Sequence, residues 1–152
     1  MSMQMYCYNG FGISAEPFRL ADFNTLKKIL KETFPEGNFK NITKLSQFDD
    51  IEELSELNIV ENIMGETQGF KAVIANLIAT KEHITLTVAE DVDYGEGAIM
   101  YEPRYPWVEQ SREEQELTED KLIEIFHRWQ DILKVPESKQ REAYYISVGG
   151  YC

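Results

Sequence analysis

Apolar residues along this chain recur with two different periods, and the switches between them mark out the elements. Met3 to Tyr8 is rich in Tyr, Met and Cys and runs into the turn dipeptide Asn9-Gly10, which reads as a first strand covered on both faces. From Asp22 or Asn24 as cap, Phe23, Leu26, Ile29, Leu30 and Phe34 fall at helical spacing, and Pro35 with Gly37 closes that helix. Leu45 to Met64 carries Ile51, Leu54, Leu57, Ile59, Val60 and Ile63, which predicts a second helix from about Asp49, broken near Asn58. Gly65 and Gly69 mark the next break. Phe70, Val73, Ile74, Leu77 and Ile78 then form the i, i+3, i+4, i+7, i+8 stripe of a third helix.

The period changes to two at His83. Ile84, Leu86 and Val88 alternate with His83, Thr85 and Thr87, so the segment reads as a half-buried strand. Asp93-Tyr94-Gly95-Glu96-Gly97 supplies a turn and Ala98 to Tyr101 a return strand, until Pro103 and Pro106 stop the ladder. Ser111 followed by Glu114 resembles a capping box, and Leu122, Ile125, Phe126, Trp129, Ile132 and Leu133 stripe one long final helix that ends before Pro136. Ala143 to Val148 is β-branched and aromatic, ahead of Gly149-Gly150, and reads as the last strand. The order β-α-α-α-β-β-α-β predicts an α+β fold, a mainly antiparallel sheet of about four strands packed with about four helices. With 152 residues and no repeat, low-complexity tract or long linker, residues 1–152 read as one domain.

Composition narrows the class. At 43% apolar and 28% charged the chain lies in the ordinary globular range, away from disordered, collagenous and disulfide-scaffold sequences. No uninterrupted apolar run approaches the length of a membrane span, and Met1 to Gly10 lacks the basic and apolar regions of a signal peptide, so a cytoplasmic location is expected. Cys7 and Cys152 have no CxxC spacing, which points to neither zinc nor redox chemistry, and Cys7 reads as a small buried hydrophobe. The sequon Asn41-Ile42-Thr43 carries no weight without a secretory signal.

Charge changes the picture more. Fifteen Lys and Arg against 27 Asp and Glu leave a formal −12, which repels phosphate and disfavours direct binding of nucleic acid. Residues 1–48 hold six bases and four acids, residues 49–131 six bases and 21 acids, and residues 132–152 three bases and two acids. The excess is central. It forms three blocks: Asp49, Asp50, Glu52, Glu53, Glu56 and Glu61; then Glu90, Asp91, Asp93 and Glu96; then Glu113, Glu114, Glu116, Glu119, Asp120 and Glu124. On one long helix Glu113, Glu116, Asp120 and Glu124 would line the face opposite the apolar stripe, with neighbours about 5–6 Å apart. That pitch is comparable to phosphates along a nucleic-acid strand. Such a row is either a solvated face or a phosphate mimic that occupies the groove of a nucleic-acid-binding protein. Between the second and third blocks, Tyr101-Glu102-Pro103-Arg104-Tyr105-Pro106-Trp107 is proline-stiffened, and Arg104, Tyr105 and Trp107 are of the types enriched in binding hot spots.

Catalytic signals are sparse. His83-x-Thr85 resembles half of the paired His-x-Thr/Ser signature of the two-histidine phosphoesterases, in which two such motifs face each other across a phosphate. The second half is missing, because His127 is followed by Arg128 and Trp129. Glu124-x-x-His127 has the spacing of a di-iron ligand pair but occurs once, where such sites need it twice. Asp91, Asp93 and Glu102 match positions 1, 3 and 12 of a calcium loop, yet position 6 is Glu96 where Gly is required, so a cation held by Glu90, Asp91, Asp93 and Glu96 is the weaker reading. No GxSxG, HExxH, Walker or GxGxxG motif occurs, and no cofactor is expected.

The expectation is therefore a small acidic, non-enzymatic interaction protein. It would bind a basic nucleic-acid-handling partner such as a nuclease through Glu113, Glu116, Asp120, Glu124, Arg104, Tyr105 and Trp107, without binding nucleic acid or membrane itself. In style the chain resembles accessory proteins of phages and mobile elements, the inhibitors of host defence and the immunity proteins. The alternative is a small phosphoesterase or metal-dependent hydrolase built on His83 and Thr85, completed by His127 or the acids near Asp91.

Overall fold

The computed structural model describes residues 8–49, 69–89, 97–102 and 109–148, and over these the chain is an α+β fold. Expectations for residues 1–7, 50–68, 90–96, 103–108 and 149–152 lie outside them.

The first strand, β1 (Tyr8–Ser14), runs straight through Asn9-Gly10, so the expected turn there is corrected. The glycine serves a close approach instead. A Cβ on Gly10 would lie 2.8 Å from the Met100 side chain and collide with the Tyr101 carbonyl, and one on Gly12 would lie 2.6 Å from the Met100 Cβ. A short 3-10 turn, Glu16–Leu20, then leads to α1 (Phe23–Thr33). Asp22 caps α1 by accepting from Thr25 N (3.0 Å) and Thr25 Oγ1 (2.6 Å), which holds its carboxyl below the ordinary 3.8.

Leu45–Asp49 is a 3-10 turn just ahead of the expected second helix, and its last residue, Asp49, caps the next described element. The helix α2 (Phe70–Glu82) follows Gly69, which has φ +104° and no capping side chain of its own. Asp49 Oδ1 accepts from Phe70 N at 3.1 Å while Oδ2 takes Arg19 Nη1 at 2.7 Å. Partial burial works to raise the Asp49 pKa, but the Arg19 bond and the Phe70 N–H outweigh it and hold the group lowered. The Arg19 guanidinium also lies 4.5 Å from the Phe70 ring centre.

The predicted strand from His83 is the second correction. Residue 83 is the left-handed end of α2, at φ 58°, and Ile84 N donates to Ala79 O at 3.1 Å in a Schellman-type closure. Extended structure begins only at β2 (Thr87–Ala89), which pairs antiparallel with β3 (Ala98–Tyr101) in the register Val88↔Ile99. Alternation alone could not separate a strand from a helix cap followed by a short extended lead.

The third correction concerns the long final helix, which is two. Ser111 Oγ accepts from Glu114 N (3.1 Å) and begins α3 (Arg112–Gln115); Thr118 Oγ1 accepts from Lys121 N (3.2 Å) and begins α4 (Glu119–Ile132). A second N-cap restarts the backbone hydrogen bonding, so the two segments need not share an axis. Helix α4 ends as α2 does, with Lys134 at φ 58° and Val135 N donating to Gln130 O at 2.9 Å. The chain closes through a 3-10 turn, Glu137–Lys139, into β4 (Tyr144–Val148).

Among the described residues all strand pairs are antiparallel, in the spatial order β2-β3-β1-β4. Ile13 and Ile99 meet across β1 and β3 on the face that receives the helices, where Phe126, Phe18, Leu26, Leu30 and Phe70 are fully or almost fully buried. Each such side chain contributes roughly 1.5–3 kcal/mol through the area it removes from water. On the opposite face Ala89, Ala98, Met100 and Ile146 form a second buried cluster. Among the described residues no helix is long and apolar enough to cross a membrane.

Candidate functional site

The strongest concentration of predicted residues sits where α2, α3 and α4 meet. Ser111 Oγ, besides capping α3, donates to the carbonyl of His83 at 2.5 Å, so the start of α3 is tied to the end of α2. Glu82 ties α2 to α4: its Oε1 accepts from Trp129 Nε1 at 2.9 Å and forms an ion pair with Arg128, whose Nη1 lies 2.7 Å away. These links enclose a cleft of about 230 Å³. Its apolar part is Ile84, Leu117 and Ile125, and its carboxylates are Glu82, Glu113, Glu116 and Glu124.

Two bases share the cleft, and both are engaged by the protein's own acceptors. Lys121 Nζ donates to Glu116 O at 2.9 Å, and Arg128, beside its bond to Glu82, lies 4.0 Å from Glu124. Glu116 receives Arg112 at 3.4 Å on the exposed surface, and Glu113 has no ion pair among the described residues. The cleft therefore keeps an acidic surplus over an apolar floor. This combination suits a long basic side chain, whose methylenes can lie on Ile84 and Ile125 while its head meets carboxylates.

Of the predicted acidic row, Glu113, Glu116 and Glu124 come together in this cleft and Asp120 does not. Asp120 lines a larger cavity of about 480 Å³ on the other flank of α4, with Ile123, His127 and Ala143, and Glu124 borders both. The even row at phosphate pitch is thus corrected, since it required one continuous helix and the chain breaks at Leu117-Thr118. Arg104, Tyr105 and Trp107 lie outside the described residues, as do Asp91, Asp93 and Glu96. Burial raises the pKa of Glu102, the one member of the calcium-like pattern that is described.

His83 and Thr85 are exposed beyond the end of α2 and line neither the cleft nor the larger cavity. His127 is exposed on α4 with Nδ1 3.5 Å from Asp131 Oδ2, and it faces the larger cavity. Among the described residues no three His, Cys, Asp or Glu side chains gather as metal ligands.

Glu82, Lys121, Arg128 and the cap Thr118 escaped the sequence reading. The signal for Thr118 was present, because Leu117-Thr118-Glu119-Asp120 is a capping residue followed by acids in a first turn. Glu82 carried no local signal; its importance comes from Trp129 and Arg128, 47 and 46 positions along the chain. Comparison with protein-family models, with curated proteins and with solved structures returns no match.

Proposed function

We propose that this is a non-enzymatic docking protein that captures a basic protein partner, with an inhibitory role toward a nucleic-acid-handling enzyme as its biological use. The observation that carries the reading is the cleft between α2, α3 and α4. Four carboxylates surround its apolar floor, and the two cations within it are spent on internal acceptors. An Arg or Lys from the partner would meet Glu113, which has no ion pair among the described residues, and would compete with the exposed Arg112 for Glu116, gaining charge-assisted hydrogen bonds. The remaining acidic surplus of the chain, −12 overall, would speed the encounter at low ionic strength. The break in the acidic row favours capture of individual basic side chains over imitation of a regular phosphate backbone.

The test is affinity capture from nuclease-treated host lysate with the wild type and with a Glu113→Lys/Glu116→Lys/Glu124→Lys variant, each in low and high salt. Basic nucleic-acid-binding proteins should be retained by the wild type in low salt and lost both in high salt and with the variant. Retention of the same partner by the folded variant would remove the cleft from the interface. Selective recovery of neutral or acidic proteins would overturn the electrostatic reading itself.

A further inference from the structure

A second surface lies along the seam between α4 and the outer strand β4, and it does not depend on the cleft above. In the sheet order β2-β3-β1-β4, β4 has no neighbour on its far side among the described residues. Ala15 N donates to Gly97 O, so odd-numbered residues of β1 face β3 and even-numbered ones face β4. Gly12 and Gly10 pair with Tyr144 and Ile146, which leaves the N–H and C=O groups of Tyr145 and Ser147 directed away from the sheet. The strand reads Tyr-Tyr-Ile-Ser-Val, without the Lys or Pro that natural edges use to repel an added strand.

The side chains beside this edge match that backbone. Tyr145 is 63% exposed and Ile123 43%, two of the three large hydrophobics that the described residues leave exposed. They border two cavities along the seam, one of about 170 Å³ walled by Phe11, Tyr101, Leu122 and Tyr145, the other the 480 Å³ cavity of Ile123, His127 and Ala143. Their rim is acidic, with Glu119, Asp120, Glu124 and Glu142, and its base, Arg141, pairs with Glu16 at 2.9 Å. The entrance to β4 is held rigid by buried Gln130, which bonds both the N–H and the C=O of Arg141 at 2.8 Å. A fixed edge loses little entropy when a partner strand docks.

We propose that the α4–β4 seam is a strand-addition site for an extended segment of a protein partner whose every second residue, on the one face it turns to α4, is in turn apolar and Lys or Arg. Main-chain bonds form to Tyr145 and Ser147. The side chains on the helix side meet Ile123 and Ala143 where apolar, and Asp120, Glu124 and Glu142 where basic. A second copy of this chain is a poorer occupant, because pairing β4 with β4 would bring two acidic rims together.

The probe is a short synthetic peptide in which every second residue is Val and Lys in turn, with Thr between them, and the control has Glu in place of each Lys. Hydrogen exchange on the wild type should show new protection at the amides of Tyr145 and Ser147 with the basic peptide and none with the acidic one. Ser147→Pro removes an outward N–H at an edge position that tolerates proline and should weaken binding about tenfold or more, whereas Ser147→Ala should not. Asp120→Lys/Glu142→Lys should weaken it as well, while Glu113→Lys/Glu116→Lys leaves it intact, so failure here is distinct from failure of the α2–α4 cleft. No protection at Tyr145 and Ser147, equal binding of the acidic peptide, or tight binding by a folded Ser147→Pro protein would overturn the proposal. Protection at those amides without peptide, in a dimer seen by light scattering, would assign the edge to self-association and overturn it too. If Ser147→Pro does not fold, the exchange result on the wild type decides.

Discussion

Gln130 is the side chain whose replacement most directly tests how the sheet edge is held. It is fully buried in α4, donates from Nε2 to Arg141 O (2.8 Å) and Phe126 O (3.2 Å), and accepts from Arg141 N at 2.8 Å. In effect the amide stands in for a strand neighbour just ahead of β4. Gln130→Leu deletes all three bonds, two of them to the backbone of Arg141. Each such part-buried bond is worth about 0.5–1.5 kcal/mol, and the added apolar surface of Leu returns about 1–2 kcal/mol. The net expectation is a loss of about 1–2 kcal/mol, equivalent to a fall of about 2–8 °C in melting temperature for a chain of this length. Thermal and urea denaturation followed by circular dichroism measure it, and hydrogen exchange should show faster opening around Arg141 and Tyr144 than at the centre of α2. Gln130→Glu sharpens the test, because a carboxylate would face two carbonyl oxygens. Burial raises the pKa of such a group, so this variant should recover stability relative to wild type as pH falls through that raised value. A Gln130→Leu protein within about 0.5 kcal/mol of wild type would refute the reasoning.

Other substitutions probe the remaining joints. Gly12→Ala places a Cβ against the backbone of β3, 2.7 Å from the Met100 Cα, and should cost about 1–3 kcal/mol in urea denaturation; an unchanged midpoint would contradict the close approach. His83→Gly and Lys134→Gly relieve left-handed backbone at the ends of α2 and α4, so each should raise stability by about 0.5–1 kcal/mol, and a lower melting temperature in either would count against the cap geometry. Asp49 has a lowered pKa in the fold, so its contribution is present above its unfolded value and lost as pH falls through the folded one. Asp49→Asn retains an acceptor for Phe70 N but not the charge that holds Arg19. The two proteins should therefore differ at neutral pH and converge in acid, as read from urea midpoints down to about pH 2.

Legibility followed the range of each interaction. Helices α1 and α2 are visible in the sequence because a 3.6-residue apolar stripe and a terminating residue act within a few turns. The boundaries that were misread have local causes weighed against stronger-looking local patterns. Asn9-Gly10 has the chemistry of a turn, but the tight spacing of β1 on β3 uses the glycine for its missing Cβ. His83 begins an alternating run, yet the left-handed closure of α2 takes it first. Thr118 is a cap hidden inside a continuous run of helix formers, and once it acts, the four-residue acidic row divides between two cavities.

By itself the sequence determined the α+β class with a mainly antiparallel sheet, the apolar stripes of α1, α2 and α4, the concentration of acid in the middle of the chain and, among the described residues, the absence of a helix long and apolar enough to cross a membrane. These depend on local periodicity and on counts of charge, which no packing arrangement can alter. Tertiary structure alone decided that Glu82 joins Glu113, Glu116 and Glu124, that Arg128 and Lys121 are consumed internally, and that β4 stands at the edge with Tyr145 and Ser147 turned outward. Such facts rest on contacts between residues tens of positions apart, and their free energy is settled only when the helices dock on the sheet and fix which carboxylates share a cleft.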